Sequence, residues 1–396
     1  MKILQICSKP PLPSIDGGCK ATHNFTKGFL EENIEVKILT LNTKKHPFIK
    51  NQLPEDYIKK TDIESIFVDT SVKIVPALIN FCQSKSYNIS RFYSNEFEEL
   101  ILNNLKRGDF DVVLFEGLYV SPYIGVVKKN SSAKLVYRAH NVEYEIWQRN
   151  AEFEKNIIKK IYFKILAKQL KQYEVAVFKN FDFIAAITER DKQEIQKYIT
   201  HIPIEVFPFG IDLQDYSIKE VINENKVFYI GSMDWLPNLR GIEWFIKEVW
   251  STIVKTNNKP FFVLAGKKMP LWLMELKHKN INVIGEVDNA LEFISNNNIM
   301  VVPLFSGSGM RVKIIEAMAL QKTVIGTAIA FEGISCENKK NVLVANNKDE
   351  FVRLLEDCFN DKGMVDLISK NARLLIEENY DNKQIVRELI RFIKSN

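Results

Sequence analysis

Short apolar runs separated by helical stretches predict an α/β chain made of two doubly wound, parallel-sheet halves. Three observations carry the prediction. The runs are five to seven residues long and continuous rather than alternating, the pattern of strands buried on both faces of a sheet. They fall into two series, each reading strand, helix, strand, which is the sequence form of a doubly wound unit. At 396 residues the chain also exceeds what one hydrophobic core usually organises.

The first series is KILQIC (2–7), VKILTL (36–41), FDVVLF (110–115), AKLVYRA (133–139) and DFIAAIT (182–188). The second is KVFYIGS (226–232), PFFVLAG (260–266), INVIGEV (281–287), IMVVPL (299–304), KTVIGT (322–327) and NVLVA (341–345). Between them VFPFGIDLQDYS (206–217) has Pro208, Gly210 and no helical period, so it reads as a linker. A long helix is expected over 153–179, with Lys155, Lys159, Lys160, Lys164, Lys168 and Lys171 on a polar face and Ile157, Ile161, Ile165 and Leu166 on a core face. Basic amphipathic helices also bind acidic lipid, so peripheral contact with the inner membrane stays open beside the plain reading of a solvated face.

Apolar residues make up 46% and charged residues 26% of the chain, an ordinary globular composition. No apolar run approaches the 18 or so residues of a membrane span, and the start MKILQICSKPPLP lacks the core of a signal peptide. A cytoplasmic location is expected. Cys7, Cys19, Cys82, Cys336 and Cys358 form no C-x-x-C pair, which predicts neither a disulfide framework nor a zinc site. Residues 1–210 hold 30 Lys and Arg against 25 Asp and Glu, and the rest 24 against 24. The net charge of +5 therefore sits in the first half, and with no recognition motif it does not point to nucleic acid.

Three stretches carry chemistry. In SGSGMRVKIIEAMAL (306–320) two cations, Arg311 and Lys313, fall in the first turn of a helix, where the unpaired N–H groups already favour anions. The helix is apolar all round, so its one acid, Glu316, needs a hydrogen-bonding partner. A phosphate at the helix start and a hydroxyl above Glu316 would satisfy both; an Lys313–Glu316 pair with Arg311 in solvent is the plainer alternative. The second stretch, SKPPLPSIDGGCKATHNF (8–25), brings Gly17 and Gly18 to a strand-to-helix turn, where backbone can approach a ligand closely. It lacks the G-x-G-x-x-G spacing of a dinucleotide site. The third, VYRAHNVEYEIWQR (136–149), ends a strand with His140, at the sheet end where open α/β folds place ligands.

Taken in order, Gly17-Gly18 after the first strand, RAHNVE, PFGID, IGSMDWLPN and VVPLFSGSGMRVKIIEAMALQKTVIGT resemble the GT-B glycosyltransferases, in particular the retaining, nucleotide-sugar-dependent family 4 enzymes. The likeness runs from the first strand to about Tyr380. It implies two Rossmann-like domains facing across a cleft: an acceptor-binding domain over 1–208, a nucleotide-sugar-binding domain over 209–379, and a final helix within 380–396 packing back on the first. It implies transfer of a sugar from a nucleotide sugar, a UDP- or GDP-sugar above all, to a glycan, lipid-linked or polysaccharide hydroxyl, with retention and without cofactor or metal. Glu316 matches the carboxylate that holds the ribose. The backbone around Gly309, Met310 and Arg311 matches the grip on sugar and diphosphate, and Arg240 stands near the family's diphosphate-binding Lys. Gly17 and Gly18 match the loop over the phosphates, and His140 matches the His that contacts the donor sugar. Two positions depart: Ser308 replaces a second Glu and Ser232 replaces an Arg, for which Arg311 and Lys313 are expected to compensate in part. An epimerase using His140 and Glu143, and a catalytically weak partner subunit that binds a nucleotide sugar, stay open as alternatives.

Overall fold

The computed structural model describes residues 1–71, 86–219, 225–256, 260–307 and 309–395; Cys82 and Ser308 lie outside the described residues. The chain separates into two compact units, one of residues 1–210 with 382–396 and one of residues 211–381.

The first unit contains a seven-stranded sheet, β1 (Lys2–Cys7), β2 (Glu35–Asn42), β3 (Glu64–Phe67), β4 (Val112–Glu116), β5 (Lys134–Ala139), β6 (Phe183–Ala186) and β7 (Ile204–Val206). Its order is β3-β2-β1-β4-β5-β6-β7, and every pair is parallel. Both faces are covered. Along β1, Leu4 and Ile6 enter one apolar cluster and Ile3 and Cys7 the other, as period-two alternation requires. The helix α1 (Gly17–Glu31) follows β1.

The helix expected over 153–179 is α3 (Ile157–Phe178), which starts four residues later; α2 (Glu143–Phe153) precedes it. The polar Glu154-Lys155-Asn156 step separates the two, and the Asn156 side chain accepts the Lys159 N–H as a cap on α3, a role Asn favours over a helix interior. The expected core face is also displaced. Leu166, Leu170, Val177 and Phe178 are buried, whereas Ile157 and Ile161 are exposed.

The stretch expected as a linker, 206–217, contains the boundary between the units, but Ile211 and Tyr216 beyond it are buried. Phe207 and Phe209 are buried, and Phe207 packs in the same cluster as Ile385, Val386, Leu389, Ile390 and Ile393 of the last helix. That helix, Asn382–Ser395, belongs to the first unit. Each of those side chains contributes roughly 1.5–3 kcal/mol on full burial. Gly28 of α1 lets it close in, since a Cβ there would stand 2.6 Å from Val386 Cγ2.

The second unit holds β8 (Lys226–Ile230), β9 (Phe261–Ala265), β10 (Ile281–Gly285), β11 (Ile299–Val302), β12 (Thr323–Gly326) and β13 (Leu343–Val344). They form a parallel sheet in the order β10-β9-β8-β11-β12-β13. The helix α4 (Leu236–Trp244) follows β8, and α5 (Val312–Ala319) follows β11. Strand order reverses between β1 and β4 in one sheet and between β8 and β11 in the other, and such switch points leave a crevice at the carboxyl ends of the strands.

Candidate functional site

Both switch points collect the predicted residues. In the second unit the chain leaves β11 through a turn in which Gly307 (φ 124°) and Gly309 (φ 80°) are left-handed, a backbone only glycine adopts freely. A Cβ on Gly307 would stand 2.8 Å from the Trp235 ring. The turn delivers Arg311 to the start of α5, where it donates to the Gly309 carbonyl and lies over the Trp235 ring, 5.4 Å from its centroid. Arg311 is buried, so the plainer expectation of a solvated guanidinium fails. The turn's glycines draw the chain in beneath an indole.

Lys313 does not pair with Glu316. Its ammonium donates to the Tyr229 hydroxyl at 2.9 Å and to Asn238 Oδ1 at 3.3 Å, and Asn238 is fixed by donating to the Ser232 carbonyl at 2.8 Å. Burial and then the neighbouring Arg311 charge bring Lys313 down to about 7. Glu316, buried in the middle of α5, accepts from the Tyr216 hydroxyl at 3.3 Å. Among the described residues no side chain caps the start of α5, so its first N–H groups are left to solvent or ligand. An uncapped helix start beside two buried basic side chains has the chemistry to take an anion.

Gly309 and Met310 lie partly exposed in the turn. Arg240 is exposed on α4. It stands two residues beyond Asn238, about 200° round a helix, so it faces away from Lys313 and does not join the cluster. Ser232, where the resemblance expects an Arg, donates to Asp234 at 2.7 Å.

In the first unit His140 follows β5 and its Nε2 lies 2.6 Å from Glu116 Oε2. Glu116 closes β4 and is buried. It also accepts from Gln5 Nε2 at 2.7 Å and Arg138 Nη1 at 3.1 Å, while the Arg138 guanidinium lies over the Phe25 ring at 3.5 Å. Burial alone would raise the Glu116 carboxyl, but the Arg138 charge and the His140 hydrogen bond outweigh it and hold it down at about 2. Burial, only partly countered by Glu116, pushes His140 below its ordinary value. A neutral imidazole facing an ionised carboxylate carries its proton on Nε2, so we assign Nδ1 as the acceptor.

Gly17 and Gly18 open α1, but that helix start is already occupied. Asp16 caps it by accepting the Cys19 N–H at 2.9 Å, and the same carboxylate takes Lys9 Nζ at 2.7 Å and His46 Nε2 at 2.9 Å. Gly18 serves Lys9, whose Nζ would be 2.6 Å from a Cβ there. Asp16, Cys19 and His46 place three potential metal-ligand atoms within 4.8 Å of one another. The Lys9 ammonium holds the place a cation would take, and burial pushes the Cys19 thiol up to about 11. This donor set does not suit a metal.

Glu143, at the start of α2, accepts from the Tyr119 hydroxyl at 2.8 Å. Behind it the buried Glu174 accepts the Glu143 and Tyr144 N–H groups at 3.0 and 3.1 Å, and burial, followed by the Glu143 charge, raises it to about 8. The sequence reading missed Glu116, Tyr216, Tyr229 and Asn238. Of these only Glu116 had a local signal, a charge closing the apolar strand VVLFE.

Residues 224–361 match the family model described as glycosyl transferases group 1. An uncharacterized 44.6 kDa protein from the cps region of Klebsiella pneumoniae is 27% identical over 295 residues, covering 71% of this chain and 74% of that protein. Among solved structures, the sucrose-phosphate synthase of Thermosynechococcus elongatus is similar over 100% of this chain and 99% of its own (TM-score 0.73, 12% identity). Anabaena HepE in complex with UDP is similar over 100% of both chains (0.68, 12%). TarM of S. aureus, in complex with UDP and α-GlcNAc-glycerol, is similar over 99% of both (0.67, 14%). The likenesses to these solved structures span 99–100% of the chain, and the fold is GT-B.

Proposed function

We propose that the chain is a glycosyltransferase that moves a sugar from a nucleotide-sugar donor to a hydroxyl of a glycan, lipid-linked or polysaccharide acceptor. One observation carries the reading: the uncapped start of α5 with Arg311 and Lys313 beside it, one turn before the buried Glu316. The spacing suits a diphosphate at the helix start and a ribose over the carboxylate. The group 1 family match over 224–361 supports it, and the UDP and UDP-glucose complexes of HepE favour a uridine diphosphate donor.

In this reading the bond from the anomeric carbon to the diphosphate oxygen breaks, a bond from that carbon to the acceptor oxygen forms, and the acceptor proton leaves with the diphosphate. Charge growing on the leaving group meets the α5 amides, Arg311 and Lys313, a kind of stabilisation worth about 3–4 kcal/mol per well-placed donor. Lys313 gains its proton as the anion arrives, because a neighbouring negative charge reverses the effect of burial. A role for His140 at the donor sugar rests on the resemblance of the motifs alone. Retention, family 4 membership and independence of metal follow from the resemblance of the motifs.

The test is a panel of UDP-, GDP-, ADP-, dTDP- and CMP-sugars, read by thermal shift and nucleotide release. Stabilisation and turnover with one donor support the transferase. Binding without release favours the partner-subunit reading, which Ser308 in place of the family's second Glu supports.

A further inference from the structure

The first two turns of α3 are apolar on the outside. Ile157 is 73% exposed, Ile158 79%, Ile161 55% and Tyr162 41%, where the sequence period had placed a core face. The helix is nevertheless well anchored. Phe163 meets the Trp147 ring edge-on at 5.5 Å, and Leu166, Ala167 and Leu170 are buried beneath it. The exposed side chains therefore sit on a fixed helix with their apolar face turned outward.

Charge lines one side of that face. Residues 155–173 contain six Lys and no acid, and among the described residues none of Lys159, Lys160, Lys164 and Lys168 sits in an ion pair. At 100° per residue, Ile157, Ile158 and Ile161 fall within an arc of about 100°, with Lys164 about 20° outside Ile157, Lys160 about 60° outside it, and Lys168 in line with the arc two to three turns further along. Isolated exposed apolar residues need no explanation, but a contiguous set of three isoleucines and a tyrosine does. Bare apolar side chains flanked by unpaired ammonium groups match an interface that offers hydrocarbon beneath a layer of negative charge.

We propose that this end of α3 docks on a membrane surface rich in anionic lipid, with Ile157, Ile158, Ile161 and Tyr162 at the boundary of headgroups and acyl chains and Lys160, Lys164 and Lys168 on lipid phosphates. The proposal stands on this helix and does not depend on sugar transfer.

The test is flotation of the full chain with vesicles of phosphatidylcholine alone and of phosphatidylcholine mixed equally with phosphatidylglycerol, at low and high salt. The expected result is at least tenfold stronger partition onto the anionic vesicles, at about 1 kcal/mol per basic residue near such a surface, weakened by salt. Partition falls at least about thirtyfold in Lys160→Glu with Lys164→Glu, two residues at about 1 kcal/mol each. It is lost in Ile157→Ser with Ile158→Ser and Ile161→Ser, while circular dichroism, thermal midpoint and nucleotide binding stay those of the unaltered chain. These positions are exposed, so the variants keep their fold. Equal partition onto both vesicle types, no partition onto either, or variants that float like the parent would overturn the proposal. So would a concentration-dependent dimer abolished by the triple Ser change, which would assign the face to a second copy of the chain.

Discussion

Replacing Glu116 with glutamine keeps the shape of the β4 end and removes one charge from a buried cluster of Gln5, Arg138 and His140. The ordinary carboxyl value here is 4.5 and the folded value about 2. A gap of ~2.5 units at 1.36 kcal/mol each corresponds to about 3 kcal/mol. Because the folded value is the lower one, this stability is fully present above 4.5 and drains away as pH falls from 4.5 to about 2. Removing the charge also leaves the fully buried Arg138 without its counter-charge, a change that typically costs 3–5 kcal/mol. Glu116→Gln should therefore destabilise the first unit by about 3 kcal/mol near neutral pH, with the deficit shrinking to roughly 1 kcal/mol near pH 3. Native-state hydrogen exchange of β4 and β5 amides in urea reads this unit by itself. A deficit below about 0.5 kcal/mol at neutral pH, the size of an ordinary surface substitution, or one that did not change with acid, would refute the assignment of Glu116 as the ionised centre of the cluster.

Other predictions concern ionisation and the start of α5. Glu174 is raised to about 8 by burial and the Glu143 charge, so the folded chain holds that proton more tightly than the unfolded one and loses stability as pH climbs from about 4.5 to 8. Glu174→Gln should flatten that loss, seen as thermal midpoints that no longer fall across the range. Lys313 stands at about 7, so nucleotide diphosphate affinity should fall as pH rises above 7 and Lys313→Met should lose both the pH dependence and about 10- to 100-fold in affinity, as for a charge-assisted hydrogen bond; calorimetric titration at three pH values measures both. His140→Ala should lower turnover far more than donor affinity, whereas Arg240→Ala, exposed and facing away from Lys313, should change donor affinity less than threefold.

The sheet architecture was legible because parallel strands buried on both faces cannot avoid continuous apolar runs. The two missed strands show the converse. β3 (ESIF) is a partly exposed edge and β7 (IEV) is three residues long, so neither needed such a run. The helix expected from residue 153 begins at Ile157 because Asn156 caps it, and a helical period by itself does not place a cap. That period also cannot say which turns of a helix have anything to pack against, and Ile157 and Ile161 were misassigned for that reason. At the start of α5 the cations and Glu316 were visible because they offend a local rule. Their partners were not, since Tyr216 meets Glu316 across 100 residues of sequence and Tyr229 meets Lys313 across 84. Gly18 looked like room for a phosphate and proved to be room for Lys9, a contact no spacing encodes.

The central claim is that the start of α5 holds the diphosphate and Glu316 the ribose of a donor. The most direct measurement is nucleotide release from the sugar-nucleotide panel by the unaltered chain and by Glu316→Ala, with binding followed in parallel. The account predicts one preferred donor, slow release of its nucleotide, and at least about tenfold weaker binding in the variant, as for a buried hydrogen-bond acceptor lost to a ligand. A folded chain that ignores every donor, or a Glu316→Ala variant that binds the preferred donor as the parent does, would contradict it.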